Sequence, residues 1–298
     1  MSLDSLDASQ AAQEFPQAEP NKMPWGTYVL SSWVESMRRY ASAQENSFFG
    51  RRAAFFARRL ALSIMADRAD VVVFGHRLRV LPKANLAEKR VLFTPQFFDE
   101  DERSILAKAL PLDAIFIDVG ANVGAYSFFA ASVTGPEARI IAIEPQPAIF
   151  QRLIDNISFN PGSTIEALPV AVADVESTVR LFVDNANAGE TSMRRISKGS
   201  VDSRTEEVKA RPLLQLVREL QLPRIDALKV DVEGAEDLVL VPFLKKAPDA
   251  LFPRLLILEN SPESWQTDCV ALALSKGYQK VCQTRLNVVL CLPRAITD

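Results

Sequence analysis

Residues 114–124 read AIFIDVGANVG. A short apolar stretch, AIFI, is followed by the acid Asp118 and then by two glycines, Gly120 and Gly124. The apolar run predicts a buried strand, and the pattern from Val123 to Val133 predicts the helix that follows it. Glycines at a strand-to-helix turn let the backbone bend sharply and approach a ligand closely, as in nucleotide-binding folds. We therefore interpret residues 118–124 as the ligand-binding loop of an α/β domain.

Strand and helix patterns continue to alternate from this loop to the end of the chain, which is typical of a parallel sheet. The two final strands, Gln279–Thr284 and Asn287–Leu292, face each other across a tight turn. We predict an α/β fold with a Rossmann-like, doubly wound, mostly parallel sheet that ends in a C-terminal antiparallel hairpin. Such an ending typifies methyltransferases of this fold and is absent from the usual dinucleotide-binding domain. The other predicted strands are Ala114–Asp118, Arg139–Ile143, Thr164–Val172, Val179–Val183, Ala227–Asp231 and Arg254–Leu258.

Three segments are predicted along the chain: a disordered tail (1–30), a helical and hairpin extension (31–84), and the ligand-binding domain (85–298). Within the extension, one helical stripe carries the residues Phe49, Ala53, Phe56, Leu60 and Ile64. We expect this stripe to pack on the main domain; a surface for a membrane or an acidic acceptor is the alternative. The hairpin DVVVFGHRLRVLP is expected to turn at Gly75-His76, which makes the single histidine a turn residue rather than a catalyst.

Composition narrows the functional classes. The net charge of −3 and the lack of a long basic run argue against a nucleic-acid partner. No apolar stretch reaches the roughly 20 residues of a membrane span, and no secretory signal is evident, so a cytoplasmic location is expected. One histidine and three cysteines predict neither a metal site nor a Ser-His-Asp triad. Acid-base chemistry therefore falls to carboxylates or lysines.

The glycine loop favours a cationic ligand. Dinucleotide binders prefer G-x-G-x-x-G, whereas Asn122 and Ala125 occupy the second and third positions of that motif here. Asp118, at the tip of the strand, would repel a pyrophosphate, but it could attract the ammonium group of S-adenosylmethionine. We therefore predict that Asp118, Gly120, Asn122 and Gly124 bind this cofactor.

Two further acids complete the predicted cofactor site. Glu144 ends the next strand, twenty residues past Gly124, where an acid can accept hydrogen bonds from both ribose hydroxyls. Asp174 follows the third strand and could accept a hydrogen bond from the adenine amino group. An ordinary turn aspartate is the alternative interpretation of Asp174.

The chain resembles the FkbM family of S-adenosylmethionine-dependent methyltransferases from about Asn85 to Glu259. The resemblance rests on DVGANVGAYS (118–127), IEPQPAIFQRLIDNISFN (143–160), GETSM (189–193) and DALKVDVEGAE (226–236). It implies a Rossmann-like methyltransferase fold, S-adenosylmethionine as cofactor, and transfer most often to a hydroxyl of a sugar, polyketide or similar metabolite. The chain departs from the family at Leu214, where an acid is usual.

The string KVDVEGAE places three acids, Asp231, Glu233 and Glu236, at the tip of the strand beside the cofactor strand. Open α/β sheets bind their ligands at such tips, and a hydroxyl acceptor needs a base within reach. We predict these three as the catalytic residues, with Asp231 as the leading base. Glu236 is alternatively a cap of the following helix.

The residues predicted to bind the acceptor are Lys229, Glu259, Thr191 and Ser192. Lys229 could equally well form a purely structural ion pair. The GETSM segment, which contains Thr191 and Ser192, could equally well be a solvated loop. Methylation at nitrogen, a non-catalytic cofactor-binding scaffold and a nicotinamide-dependent oxidoreductase remain alternative functions. The identity of the acceptor and a homo-oligomeric state are left open by the sequence.

Overall fold

A computed structural model of the chain describes residues 23–183, 191–192 and 204–293. Its secondary structure begins with two helices, a hairpin and two further helices. In chain order these are α1 (Ser32–Ser42), α2 (Phe48–Ile64), β1 (Ala69–Val73), β2 (His76–Val80), α3 (Leu86–Phe93) and α4 (Glu100–Ala109). The alternating part follows with β3 (Ile115–Val119), α5 (Ala125–Val133), β4 (Arg139–Ile143), α6 (Pro147–Ser158) and β5 (Ile165–Leu168).

The remaining elements build a small second sheet and complete the main one. They are β6 (Ala171–Val172), β7 (Ser177–Val183), β8 (Thr191–Ser192), β9 (Arg204–Arg211), α7 (Leu213–Glu219), β10 (Ala227–Val230) and α8 (Glu236–Lys246), followed by β11 (Leu255–Glu259), α9 (Cys269–Ser275), β12 (Gln279–Gln283) and β13 (Asn287–Cys291).

The central sheet has seven strands in the order β12-β13-β11-β10-β3-β4-β5. The five strands from β11 to β5 pair in parallel, and β13 runs antiparallel to both β11 and β12. The predicted doubly wound sheet with its C-terminal antiparallel hairpin is therefore confirmed. In this arrangement β3 lies in the middle, between β10 and β4, and Asp118 is the register partner of Lys229.

The strand β3 is buried on both faces, which explains its unbroken apolar sequence. Phe116 belongs to the hydrophobic cluster on one side of the sheet and Ile117 to the cluster on the other. Successive side chains of a strand point to opposite faces, so each face of the central strand is covered by its own core.

A second sheet, in the order β6-β9-β7-β8, differs from the sequence prediction. The predicted single strand Thr164–Val172 is divided into β5 and β6 on either side of Pro169, because a proline has no amide hydrogen to give to the ladder. The strand β9 was not predicted, since its sequence RTEEVKAR is mostly charged. Its apolar residues Val208 and Ala210 are nevertheless buried.

The helix α2 forms as expected, but the prediction of its packing face is wrong. The residues buried on α2 are Ala54, Ala57 and Ala61, whereas the stripe of Phe49, Phe56, Leu60 and Ile64 is exposed. Alanines let a helix approach its neighbours closely, and the alanine stripe takes the inner side. The predicted hairpin forms with its turn at Phe74-Gly75, and His76 is the first residue of β2.

One hydrophobic cluster includes both Val34 and Ala61 of the N-terminal helices and Phe116 and Ile257 of the central sheet. The N-terminal elements thus share a core with the sheet, and the division of the chain at residue 85 stays a prediction. In the described ranges, every helix is too short or too polar to cross a bilayer.

Candidate functional site

A cavity of about 270 Å³ opens at the carboxyl ends of β3, β4, β10 and β11. This is the edge at which parallel α/β sheets bind their ligands. The structure brings together at this cavity eight of the residues singled out from the sequence, namely Asp118, Gly120, Asn122, Glu144, Lys229, Asp231, Glu233 and Glu259.

Glycine is required at position 120 because the loop after β3 lies against the end of β10. Gly120 has a φ of +79°, and a Cβ built there would lie 1.8 Å from the carbonyl oxygen of Asp231. Gly124, with a φ of +93°, precedes α5, and its Cβ would lie 2.8 Å from Leu153 Cδ1. Gly124 therefore allows helix packing behind the loop and does not itself line the cavity.

Glu144 connects the end of β4 to the glycine loop. Its two carboxylate oxygens accept hydrogen bonds from the backbone amides of Asn122 and Gln146, each at 2.9 Å. Burial raises the pKa of Glu144 to about 7, although these two hydrogen bonds act in the opposite direction. A carboxylate has about four lone-pair positions, so Glu144 retains acceptor capacity for ligand hydroxyls.

A buried lysine lies between two of the acids. The Lys229 ammonium donates to Asp231 Oδ2 at 2.7 Å and lies 3.8 Å from Asp118 Oδ1. Burial alone would lower the pKa of Lys229, but the charges of Asp231 and Asp118 raise it above its usual value. The same ammonium lies 4.8 Å from the centre of the Tyr126 ring, whose hydroxyl donates to Asp99 Oδ2. Lys229 is thus a cation held within the site itself.

Asp118 is fully buried, and one of its oxygens lacks a hydrogen bond. Its Oδ2 accepts from the Ser127 hydroxyl at 2.7 Å, while Oδ1 has no hydrogen-bond partner among the described residues. Burial raises the pKa of Asp118, and both Lys229 and Ser127 oppose that change. A buried carboxylate oxygen without a donor fits a ligand that brings a cationic donor of its own.

The acids after β10 and β11 have different roles in the structure. Glu259 lines the cavity, and burial together with the Asp231 charge raises the pKa of Glu259 well above its usual value. Glu236 lies outside the cavity lining, where its carboxylate accepts hydrogen bonds from the amides of Val232 and Gly234 and from the Trp265 indole. Glu236 therefore fixes the loop that carries Glu233.

Among the remaining predicted residues, those whose side chains the structure describes do not line the cavity. Asp174 is absent from its lining, although Val172 of the same segment contributes to it. The two residues of β8 are Thr191 and Ser192, and the structure describes only their backbone. The other residues of GETSM lie outside the described part of the chain. Leu214 packs into the hydrophobic cluster beneath α7 and is an ordinary apolar core residue.

The cavity has a further wall that the sequence analysis missed. It is built by the segment before β3 and by the β12–β13 turn, from Asn85, Arg90, Phe98, Asp99, Leu286 and Asn287. Asn85 caps α3 by accepting from the Glu88 amide, and its side-chain amide donates to Asn122 Oδ1. An asparagine followed three residues later by a glutamate is a helix-start signal that could have revealed α3.

Comparison with known proteins identifies the family to which the chain belongs. A family model described as a methyltransferase FkbM domain matches residues 118–279, which is more than half of the chain. The matched range begins at Asp118 and contains every residue singled out for the site from the sequence.

Similar curated proteins include two named methyltransferases. The chain is 30% identical over 154 residues to methyltransferase sdnD of Sordaria araneosa, which covers 43% of this chain and 59% of that protein. It is 27% identical over 139 residues to the hexuronic acid methyltransferase AglP of Haloferax volcanii. This match covers 46% of this chain and 53% of AglP. AMB antimetabolite synthetase AmbE of Pseudomonas aeruginosa is 30% identical over 195 residues, 54% of this chain and 9% of that protein. The chain thus spans little more than half the length of the two methyltransferases.

Proposed function

Because the chain belongs to the FkbM methyltransferase family, as its motifs indicated, we propose that it transfers a methyl group from S-adenosylmethionine to a hydroxyl oxygen. The proposed acceptor is a sugar, a polyketide or a related small molecule or glycan. The observation that carries the proposal is that one cavity is lined both by the glycine loop and Glu144 and by the Lys229–Asp231 pair. We call the part of the cavity lined by the glycine loop and Glu144 the cofactor half, and the part lined by Lys229 and Asp231 the reacting half. The two halves are directly adjacent.

The cofactor half fits S-adenosylmethionine by its chemistry. Asp118 Oδ1, which accepts no hydrogen bond from the described residues, offers an acceptor to the ammonium of the methionine part, and Glu144 offers acceptors to the ribose hydroxyls. Gly120 leaves the backbone open to close approach. Asn122 would support this loop. Asp174 lies outside the cavity lining but follows the lining residue Val172 by two positions, and it stays the proposed acceptor for the adenine amino group. When bound, the cofactor supplies an activated methyl group.

The reacting half supplies a base. The Asp231 side chain is 37% exposed, whereas Asp118 and Lys229 are almost completely buried, so Asp231 is the member of the cluster that an acceptor can reach. We propose that Asp231 takes the proton that the acceptor hydroxyl loses, and that Lys229 holds the Asp231 carboxylate in position. Glu233, on the adjoining loop, is the second candidate for this role.

A hydroxyl-rich acceptor suits the rest of the cavity. Glu259 lines the cavity, and burial together with the neighbouring acids raises the pKa of its carboxyl, which favours a neutral group beside a hydroxyl-rich acceptor. The name of AglP, a hexuronic acid methyltransferase, supports a sugar as the acceptor class. Thr191 and Ser192 are proposed to contact the acceptor from the second sheet. We further propose residues 85–298 as the methyltransferase domain, with 31–84 as its extension.

The test measures binding and transfer separately. Titration calorimetry with S-adenosylmethionine and with NAD identifies the cofactor, and transfer of a labelled methyl group is then assayed with uronic acids, neutral sugars and amino sugars. We expect S-adenosylmethionine alone to bind and the product to be an O-methyl sugar. Asp231→Asn is expected to lose transfer but retain cofactor binding, and the exposed Asp113→Asn serves as the control.

Two results would overturn parts of this proposal. A folded protein that fails to bind S-adenosylmethionine would instead support the oxidoreductase, if NAD binds, or the scaffold, if neither binds. A product methylated at the nitrogen of an amino sugar would replace the oxygen acceptor by an amine.

A further inference from the structure

The helix α2 carries an apolar stripe that the rest of the described chain leaves uncovered. Phe49 is 80% exposed, Phe56 is 64% exposed and Ile64 is 63% exposed, and Leu60 continues the same stripe. These residues are spaced by seven and four positions, so they lie on one side of the helix. The opposite side, lined with alanines, packs inward. No part of the described chain therefore covers the exposed stripe.

The charge on this helix is of one sign. Its 17 residues, FFGRRAAFFARRLALSI, contain four arginines and no acid. Arg52 and Arg59 are both exposed, and helix geometry places them within about 60° of Phe56 around the axis. A row of large apolar side chains bordered by arginines is the pattern of helices that lie in the interface of an anionic membrane.

We propose that α2 docks on the surface of an anionic phospholipid bilayer, with Phe49, Phe56, Leu60 and Ile64 in the boundary between headgroups and acyl chains. Arg52 and Arg59 then contact the lipid phosphates and carboxylates. The proposal is independent of the reaction that the cavity performs.

The charge distribution favours this occupant over a second copy of the chain. A twofold interface centred on the stripe would bring two identical sets of arginines together, because such an interface uses the same patch on both subunits. Neither α2 helix would supply an acid to neutralise them. An anionic surface, in contrast, complements the arginines and receives the apolar stripe at the same time.

The position of α2 relates this surface to the cavity. The Phe55 ring meets the Phe97 ring edge-on at 6.5 Å, and the Arg51 guanidinium lies 5.5 Å from the centre of the same Phe97 ring. The next two residues, Phe98 and Asp99, line the cavity. Only one aromatic residue therefore separates the helix from the residues of the cavity wall.

The test is vesicle flotation of the full chain at low salt, with phosphatidylcholine alone and with phosphatidylcholine–phosphatidylserine mixtures. The variants are Phe49→Ser/Phe56→Ser and Arg52→Gln/Arg59→Gln. The control is Leu112→Ser/Val175→Ser, which removes two exposed apolar side chains elsewhere on the molecule. Because all these side chains are exposed, the variants should keep the unfolding midpoint of the wild type, which is measured in parallel.

We expect flotation with the phosphatidylserine vesicles, weakened by added salt. Each arginine removed should lower the partition coefficient about fivefold. The Phe49→Ser/Phe56→Ser change should lower it at least about tenfold, and the control should leave it unchanged.

Three outcomes would overturn the proposal. The first is equal flotation of the wild type and the phenylalanine variant. The second is the absence of wild-type flotation together with a dimer mass that the phenylalanine variant loses, which would make a second copy the occupant. The third is the absence of flotation by a monomer, which would assign the stripe to another cover, such as the acidic residues 1–22 of the same chain.

Discussion

Replacing Gly120 by alanine tests the closest approach in the site. Gly120 and Gly75 have the same φ of +79°, so both substitutions force an alanine into the left-handed region. The new Cβ at position 120 would lie 1.8 Å from the Asp231 carbonyl oxygen. At position 75, apart from Gly75 itself and its two chain neighbours, no heavy atom of the described chain lies within 4 Å of the new Cβ. Gly75→Ala is therefore a control that isolates the effect of the clash.

The magnitudes follow from the two contributions. The left-handed conformation costs an L-residue about 1–2 kcal/mol, and the loss of unfolded-state entropy on replacing glycine offsets about 0.4–1 kcal/mol of it. Gly75→Ala should thus lower the free energy of unfolding by about 1 kcal/mol. Gly120→Ala should lower it by about 2–4 kcal/mol, because relieving a clash with a backbone atom adds an overpacking cost of about 1–3 kcal/mol.

Urea unfolding of both variants measures the difference in the free energy of unfolding. We expect the slope of this free energy against urea concentration to be the same for both variants. Titration with S-adenosylmethionine should show weakened binding for Gly120→Ala and wild-type binding for Gly75→Ala, because only the former displaces the loop that we propose binds the cofactor. Equal destabilisation of the two variants, or wild-type cofactor affinity of Gly120→Ala, would refute the proposed contact between the loop and Asp231.

Two further predictions concern charge. Binding of S-adenosylmethionine should tighten as the pH rises through about 7, because protonated Glu144 loses an acceptor position for the ribose hydroxyls; Glu144→Gln should flatten this pH dependence in titration calorimetry. Lys229→Met should lower the free energy of unfolding by about 3–5 kcal/mol, since it leaves the buried Asp118 without a cation, whereas Arg180→Met, which removes an exposed ion pair with Glu207, should change it by less than about 1 kcal/mol. A pH-independent affinity in the wild type, or similar unfolding midpoints for the two cation variants, would contradict these expectations.

The elements that the sequence predicted well are those with a local signal. The strand β3 is buried on both faces, so its sequence is apolar without interruption, and the glycines that follow it are required by the backbone itself. Glu144 could be placed because it directly follows the next strand, β4. In each case a few neighbouring residues carried enough information to locate the element.

The elements that were missed depend on contacts between distant residues. The helix α2 has apolar residues on two sides, and its sequence alone does not reveal that Ala57 rather than Phe56 turns inward. The hydrogen bond from Asn85 to Asn122 joins two segments 37 positions apart, so no local pattern places Asn85 at the cavity. Tertiary packing determines both which face of α2 turns inward and which residues form the cavity wall that contains Asn85.

The buried ammonium of Lys229 has a consequence for the order of events in the cavity. One positive charge is shared by Asp118, in the proposed cofactor half, and by Asp231, in the proposed reacting half. A cationic ligand at Asp118 would change the electrostatic field at the Lys229 ammonium, and Lys229 would pass this change on to Asp231, its other partner. Linkage makes such an effect reciprocal, so we expect a ligand in either proposed half to alter the affinity of the other half for its own ligand. The two ligands would communicate through a single nitrogen atom, without any movement of the sheet.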